Sequence, residues 1–211
     1  MEPSLSTTGL SRRRLAAQAA AARVMARDGI AATSTRAIAA EAGMPRGSFH
    51  YCFRSKDELL DELAATIVSD MVQAARAVWS PDAPLDRNLR LGLRAVWEAG
   101  SERPDEHLVA YELTTYALHD PARAQLARRQ YESYYKQGAD YLAFVAEQAG
   151  IKWSLPMPTL ARLLVTVIDG LFLNWLPDRN TEETMDVLDA FADQLAALAV
   201  PSAKPPPTER Q

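Results

Sequence analysis

Proline falls along this chain at intervals that leave room for helices and little else. Pro45, Pro81/Pro84, Pro104, Pro121, Pro156/Pro158, Pro177 and Pro201 partition the sequence. Proline fixes its own φ and lacks an amide hydrogen, so it sits in the first turn of a helix or breaks one. Between these sites apolar residues recur three and four positions apart, the helical period. Strand signals are missing: β-branched runs are few, and Asp28-Gly29 and Asp169-Gly170 lie in helical patterns. The prediction is an all-α fold of about nine helices, near 11–28, 35–42, 46–52, 56–79, 85–102, 105–118, 121–149, 157–176 and 181–199. Ser11 caps the first helix and Gly29 ends it, with Leu15, Ala19, Ala22 and Met25 as its buried stripe. Ser55 and Glu58 form a capping box at the fourth. Residues 1–10 read as a flexible arm, and 201–211, with Pro205-Pro206-Pro207, as a disordered tail.

With 211 residues, 48% of them hydrophobic and 24% charged, the chain can bury a core and is not a disordered sequence. No uninterrupted apolar run approaches the roughly 20 residues of a membrane span. Met1 to Ser11 lacks the apolar segment of a secretory signal. Cys52 is the one cysteine, so no intrachain disulfide forms. The expectation is a cytoplasmic protein without a membrane partner. The net charge of −4 conceals an asymmetry: residues 1–56 carry +6 and residues 57–211 carry −10. A basic head on an acidic body points to a polyanion as the head's partner.

The head contains a motif suited to one. Two short helical segments are separated by Ala42-Gly43-Met44-Pro45. Gly43 can take the left-handed conformation that stops the first, and Pro45 starts the second, which is the helix-turn-helix pattern. Ile38, Ala39, Ala42, Met44 and Phe49 supply its small core. Arg46, Gly47, Ser48, His50 and Tyr51 are left on the outer face of the second helix. Arg46 can grip a phosphate or a guanine edge, Gly47 admits close backbone approach, and Ser48, His50 and Tyr51 offer polar atoms and an apolar face for a thymine methyl. Lys56 opens the next helix, where free amides also favour phosphate. Arg12-Arg13-Arg14 reads either as a further phosphate or minor-groove contact or as a solvated basic end. A glycine between short helices also occurs in helical proteins with no DNA role.

The run from Thr33 to Leu59 resembles the N-terminal domain of the tetracycline-repressor (TetR) family of bacterial regulators, through Ile38-Ala39, Ala42-Gly43, Gly47-Ser48, Phe53 and Ser55-Lys56. His50 stands where the family usually has tyrosine, Cys52 where it often has tyrosine or histidine, and Pro45 where it usually has a capping serine. The resemblance covers residues 12–60. It implies a DNA-binding domain over 1–55, a ligand-binding and dimerisation domain over 56–200, and contacts to double-stranded operator DNA from Thr35, Arg36, Arg46, Gly47, Ser48, His50, Tyr51 and Lys56.

The segment 157–176 is apolar nearly all round, with Leu160, Leu163, Leu164, Val167, Ile168, Leu171, Phe172 and Trp175 on one broad face. Such a helix is buried on most sides, either as the centre of a monomer's core or between that core and a partner. Val187, Leu188, Phe191, Leu195 and Leu198 add to it. The resemblance implies a homodimer through the last two helices, with Leu160, Leu164, Val167, Leu171, Leu188 and Leu195 at the interface. It also implies an effector pocket in the middle helices. Trp97, Tyr111, Glu112, Thr115, Tyr116 and His119 are its expected lining, joined by Asp169 and Trp175; Tyr131, Tyr134 and Tyr135 lie in the same region. Aromatic walls with a few polar groups suit a small organic effector. Asp169 either faces that pocket or pairs with Arg162 or Arg94. The fourth helix, running from Lys56 to Met71, Val72, Val78 and Trp79, is the expected lever between pocket and head.

Enzyme signatures are missing. His50, His107 and His119 have no metal-ligand spacing, no phosphate-cradling glycine loop or Gly-x-Ser-x-Gly elbow is present, and no cofactor or metal is expected. The alternatives are a helical interaction adaptor or a helical enzyme; neither requires a +6 head. The reading is a DNA-binding transcriptional regulator, a repressor released by a small molecule.

Overall fold

A computed structural model of the chain describes residues 7–45 and 48–202. The described residues form nine helices: α1 (Thr7–Asp28), α2 (Thr35–Glu41), α3 (Phe49–Cys52), α4 (Lys56–Ala77), α5 (Leu85–Ser101), α6 (Pro104–Leu118), α7 (Ala124–Ala149), α8 (Met157–Asp178) and α9 (Thr181–Ala197). Two three-residue strands, β1 (Ile151–Trp153) and β2 (Ala199–Pro201), pair antiparallel with Lys152 opposite Val200. The fold is the all-helical one expected, with these two short strands as an addition the sequence did not signal. Pro201 lies in β2 and so inside the fold; the expected tail beyond Ser202 lies outside the described residues. α1 begins at Thr7, so residues 7–10 of the expected arm are helical and 1–6 lie outside the described residues.

Local chemistry sets the helix ends. Ser34 Oγ accepts the Ala37 amide and Ser55 Oγ accepts the Glu58 amide. Glu58 reaches back to the Arg54 amide, one residue beyond the expected capping-box partner. Gly43 takes φ +64°, and the Met44 amide donates to the Ala39 carbonyl, closing α2. Four residues of helix cannot stand alone. α3 is held instead by burial of Phe49, with Phe53 behind it and Ile38 from α2, each side chain stabilising by about 1.5–3 kcal/mol.

On α1 the buried face is Ala17, Ala20, Ala21, Ala22, Val24 and Met25, so Ala22 and Met25 of the expected stripe are buried, whereas Leu15 is 59% exposed and Ala19 is exposed. The stripe is rotated from the one expected because α1 packs against α2, α3 and α6 at once, and small alanines allow those approaches. α4 runs from the head into the body, and the buried core continues along it to α9.

Of the six expected dimer contacts, Leu160, Leu164, Leu188 and Leu195 are buried within the single chain, and Val167 and Leu171 pack partly against the same core and keep exposed surface. The cause is that α8 lies against α7 and α6 while α9 lies against α5, and both turn their largest apolar residues inward. Leu163, Leu173 and Val187 are the large apolar side chains that face outward from this pair, Leu173 at 53%. By length and composition α8 could also cross a membrane, although Arg162, Asp169 and Asn174 interrupt it.

Candidate functional site

In the head, α2 and α3 leave Arg36, His50 and Tyr51 exposed, Tyr51 at 68%, with Thr35 and Ser48 half-buried. Arg36, Arg12 and Arg13 are exposed, and none of them is in an ion pair among the described residues. Arg46 and Gly47 lie outside the described residues. Arg14 is not a free cation: it donates to Glu62, Glu58 and the Cys52 carbonyl and lies over Phe53. Cys52 is buried, and burial pushes its thiol up, away from nucleophilic chemistry.

Lys56 departs from the expectation of a phosphate contact. Its ammonium turns inward and donates to the Ile30 carbonyl at 2.7 Å and the Thr33 carbonyl at 3.1 Å. Burial lowers its pKa. These carbonyls belong to the α1–α2 connection, whose unpaired backbone groups need partners. On its other side the Ile30 amide donates to Glu112 Oε1 at 2.6 Å. The two backbone polar groups of Ile30 in the head are thus held by a carboxylate from α6 and a cation from α4.

In the body a cavity of about 80 Å³ lies among α4, α5, α6, α7 and α8. Ile67, Met71, Leu93, Leu164 and Val165 are among its apolar lining. Its polar atoms come from His107, Tyr111, Tyr134, Tyr141 and Asp169. Tyr131 Oη donates to Asp169 Oδ2 at 2.7 Å, and Tyr111 Oη donates to the Asp169 carbonyl at 2.7 Å. Burial raises the Asp169 carboxyl above its usual range against the opposing effect of these hydroxyls. Arg94 pairs with Asp189 and Arg162 lies over the Tyr135 ring, so neither neutralises Asp169. His107 Nε2 and Tyr141 Oη are buried without a hydrogen-bond partner. Burial drops the His107 imidazole to about 4.

Of the eight expected pocket residues, Tyr111 and Asp169 line this cavity. Glu112, Thr115, Tyr116 and His119 line a separate, open cleft with Asp120 and Arg123. The two sets follow two faces of α6, because residues 112, 115, 116 and 119 repeat at helical spacing and exclude 107, 110 and 111. Trp97 and Trp175 sit behind the cavity: Trp97 stacks on Phe172 at 4.7 Å, and Trp175 meets Trp97 edge-on. Phe172 is held between Trp97 and His107, whose ring centroid is 3.9 Å away. Tyr141, His107 and the α4 residues were not anticipated as lining. Tyr134, Gly138 and Tyr141 lie on one face of α7 at i, i+4 and i+7, and that spacing was a usable signal.

Among the described residues no group of three or more His, Cys, Asp or Glu is placed to hold a metal ion.

Residues 18–63 match the family model described as bacterial regulatory proteins, tetR family, and residues 85–199 match the BetI-type transcriptional repressor, C-terminal model. The chain is 27% identical over 174 residues to the HTH-type nicotine-responsive transcriptional repressor HdnoR of Paenarthrobacter nicotinovorans, covering 82% of this chain and 89% of that protein. Solved structures of other regulators share the fold. A transcriptional regulator from Rhodococcus sp. Rha1 superposes with a TM-score of 0.65 at 22% identity, over 91% of this chain and 99% of its own. The regulator FadR from Bacillus subtilis, in complex with stearoyl-CoA, gives 0.67 at 16% identity, over 87% and 97%.

Proposed function

The chain belongs to the TetR family of bacterial transcriptional regulators, and from that premise we propose that it is an operator-bound repressor, released when a small organic molecule enters the body cavity. The observation that carries the proposal is the adjacency of Tyr111 and Glu112. Tyr111 lines the cavity and bonds to α8, while the next residue on α6 holds the Ile30 amide of the head. An apolar cavity of about 150 Å³ accommodates benzene, so a larger effector must part the walls of this smaller one. Moving α6 then moves the head. This route runs through α6 as well as the α4 lever expected from the sequence, and α4 contributes through Met71 and Val72 in the cavity wall. Near-complete release requires the effector to favour the DNA-incompetent state about 10⁴-fold.

The division of labour follows. Residues 1–55 contact DNA through Arg36, His50 and Tyr51, joined by Thr35, Ser48, Arg46 and Gly47, and residues 56–200 bind effector and a second copy. The partner face is the outer side of α8 and α9, where Leu163, Leu173 and Val187 are exposed. Two heads placed about 34 Å apart read successive turns of a palindrome. Such a regulator works in the cytoplasm, and nothing in the site calls for catalysis.

Selection of bound duplexes from a random pool tests the DNA role. A palindromic consensus should emerge, and Tyr51→Ala and Arg36→Ala should weaken it by about 1–3 kcal/mol if they reach base edges. Equal affinity for all duplexes, or no binding at low salt, would sink the proposal.

A further inference from the structure

We infer that the cavity takes an organic cation, a protonated amine on a compact apolar frame, with its charge against the Asp169 carboxylate. The inference rests on reading the cavity as the effector site and adds the chemical class of the effector. Every titratable group facing the cavity bears on it. Among the described residues, Asp169 is the only charged one in the lining, and no lysine or arginine helps to form it. The other titratable groups are His107, Tyr111, Tyr134 and Tyr141. His107 is neutral near pH 7 because burial disfavours its charged form, so it does not repel a cation. The tyrosine hydroxyls are likewise held neutral by burial.

The hydrogen-bond directions point the same way. Tyr111 donates its proton to the Asp169 carbonyl, and Tyr131, beside the cavity, donates its own to the carboxylate. Tyr134 Oη accepts from Gln130 Nε2. An anionic ligand would meet the Asp169 carboxylate and two hydroxyls already committed as donors, with the uncommitted protons of Tyr134 and Tyr141 set against that repulsion. A neutral apolar ligand would fit the walls and leave the half-buried carboxylate without a counter-charge as the ligand displaces solvent from it, which is costly. A cation supplies the missing charge, and the rings of Tyr111, Tyr134 and Tyr141 in the lining attract it as well.

Three benzyl compounds of matched size separate these cases: N,N-dimethylbenzylamine, protonated at pH 7; isobutylbenzene, its neutral isostere; and phenylacetate. Each is titrated into the full chain and into Asp169→Asn, which keeps an acceptor for Tyr131. Tryptophan fluorescence is one readout, since Trp97 stacks on Phe172 in the cavity wall, and operator affinity is the second. The amine should bind the natural chain at least about tenfold more tightly than either other compound, and Asp169→Asn should erase that preference while leaving isobutylbenzene binding within about twofold. Equal or tighter binding of isobutylbenzene or phenylacetate, an amine preference that survives Asp169→Asn, or no binding of any of the three overturns the inference. If the amine binds with the expected Asp169 dependence and operator affinity does not change, the cation site stands and the effector reading fails. If the neutral or anionic compound alone releases operator, the effector reading stands and the cation inference fails.

Discussion

His107 is a buried imidazole with an unpaired Nε2, stacked on Phe172 and hydrogen-bonded to the Gly100 backbone. Desolvation is the main cause that holds its pKa at about 4, against 6.5 for an unperturbed histidine. The unfolded chain therefore binds a proton between those values that the folded chain does not. The sign follows: His107 supports the fold fully above pH 6.5, and that support is lost as pH falls through 4. The loss amounts to about 3 kcal/mol by linkage. Urea denaturation at pH 7.5 and 4.5 should show most of this loss in the natural chain and clearly less in His107→Gln; identical pH dependence in both would refute it. The residues nearest in sequence to their partners were the legible ones. Ser55 announces its helix because a cap needs only the next turn, whereas Ser11, expected to cap the first helix, lies inside α1. Lys56 could not be read this way, because its acceptors, Ile30 and Thr33, come from the connection before α2 and meet it only through the packing of α1, α4 and α6.

Among the elements, α6 carries two faces with different duties. His107 and Tyr111 look into the cavity, and Glu112 looks toward the head. Removing the Glu112 carboxylate leaves the Ile30 amide without its acceptor, a cost of about 1–3 kcal/mol if water does not replace it. Glu112→Ala should therefore lower stability modestly, leave effector binding within a few-fold, and reduce the ratio of operator affinities measured with and without effector. Glu112→Gln keeps an oxygen in place and should preserve the ratio. An unchanged ratio in Glu112→Ala would remove this route between cavity and head. Helix existence was legible in the proline spacing and the apolar period. The pocket was less so: Trp97, Tyr116 and Trp175 are as aromatic as Tyr134 and Tyr141, and composition does not say which face of a helix the neighbours will cover. α8 posed the same difficulty, since a helix apolar on nearly every side satisfies a monomer's core and a partner's surface equally well, and Leu160 and Leu164 went to the core.

For the whole molecule, the charge asymmetry of +6 and −10 turns the head toward a polyanion and the body away from it. The proposed two-copy assembly is checked by light scattering at micromolar concentration, which should give twice the chain mass. Leu173→Glu or Val187→Glu, placed on the outer face of α8 and α9, should yield folded monomers with an unchanged helical signal and weakened palindrome binding, because a lone charge in an apolar interface costs several kcal/mol. A natural chain that remains monomeric would sink the assembly. The small sheet has a consequence for how this architecture can vary. β1 enters the α8–α9 segment and β2 leaves it, and their register sets Trp153 opposite Ala199, one strand spacing of about 4.8 Å apart. In chain connectivity the segment is a closed excursion with a common doorway. Its far tip, at Arg179 and Asn180, can lengthen, shorten or be re-routed without shifting the point where the chain departs from α7 and returns.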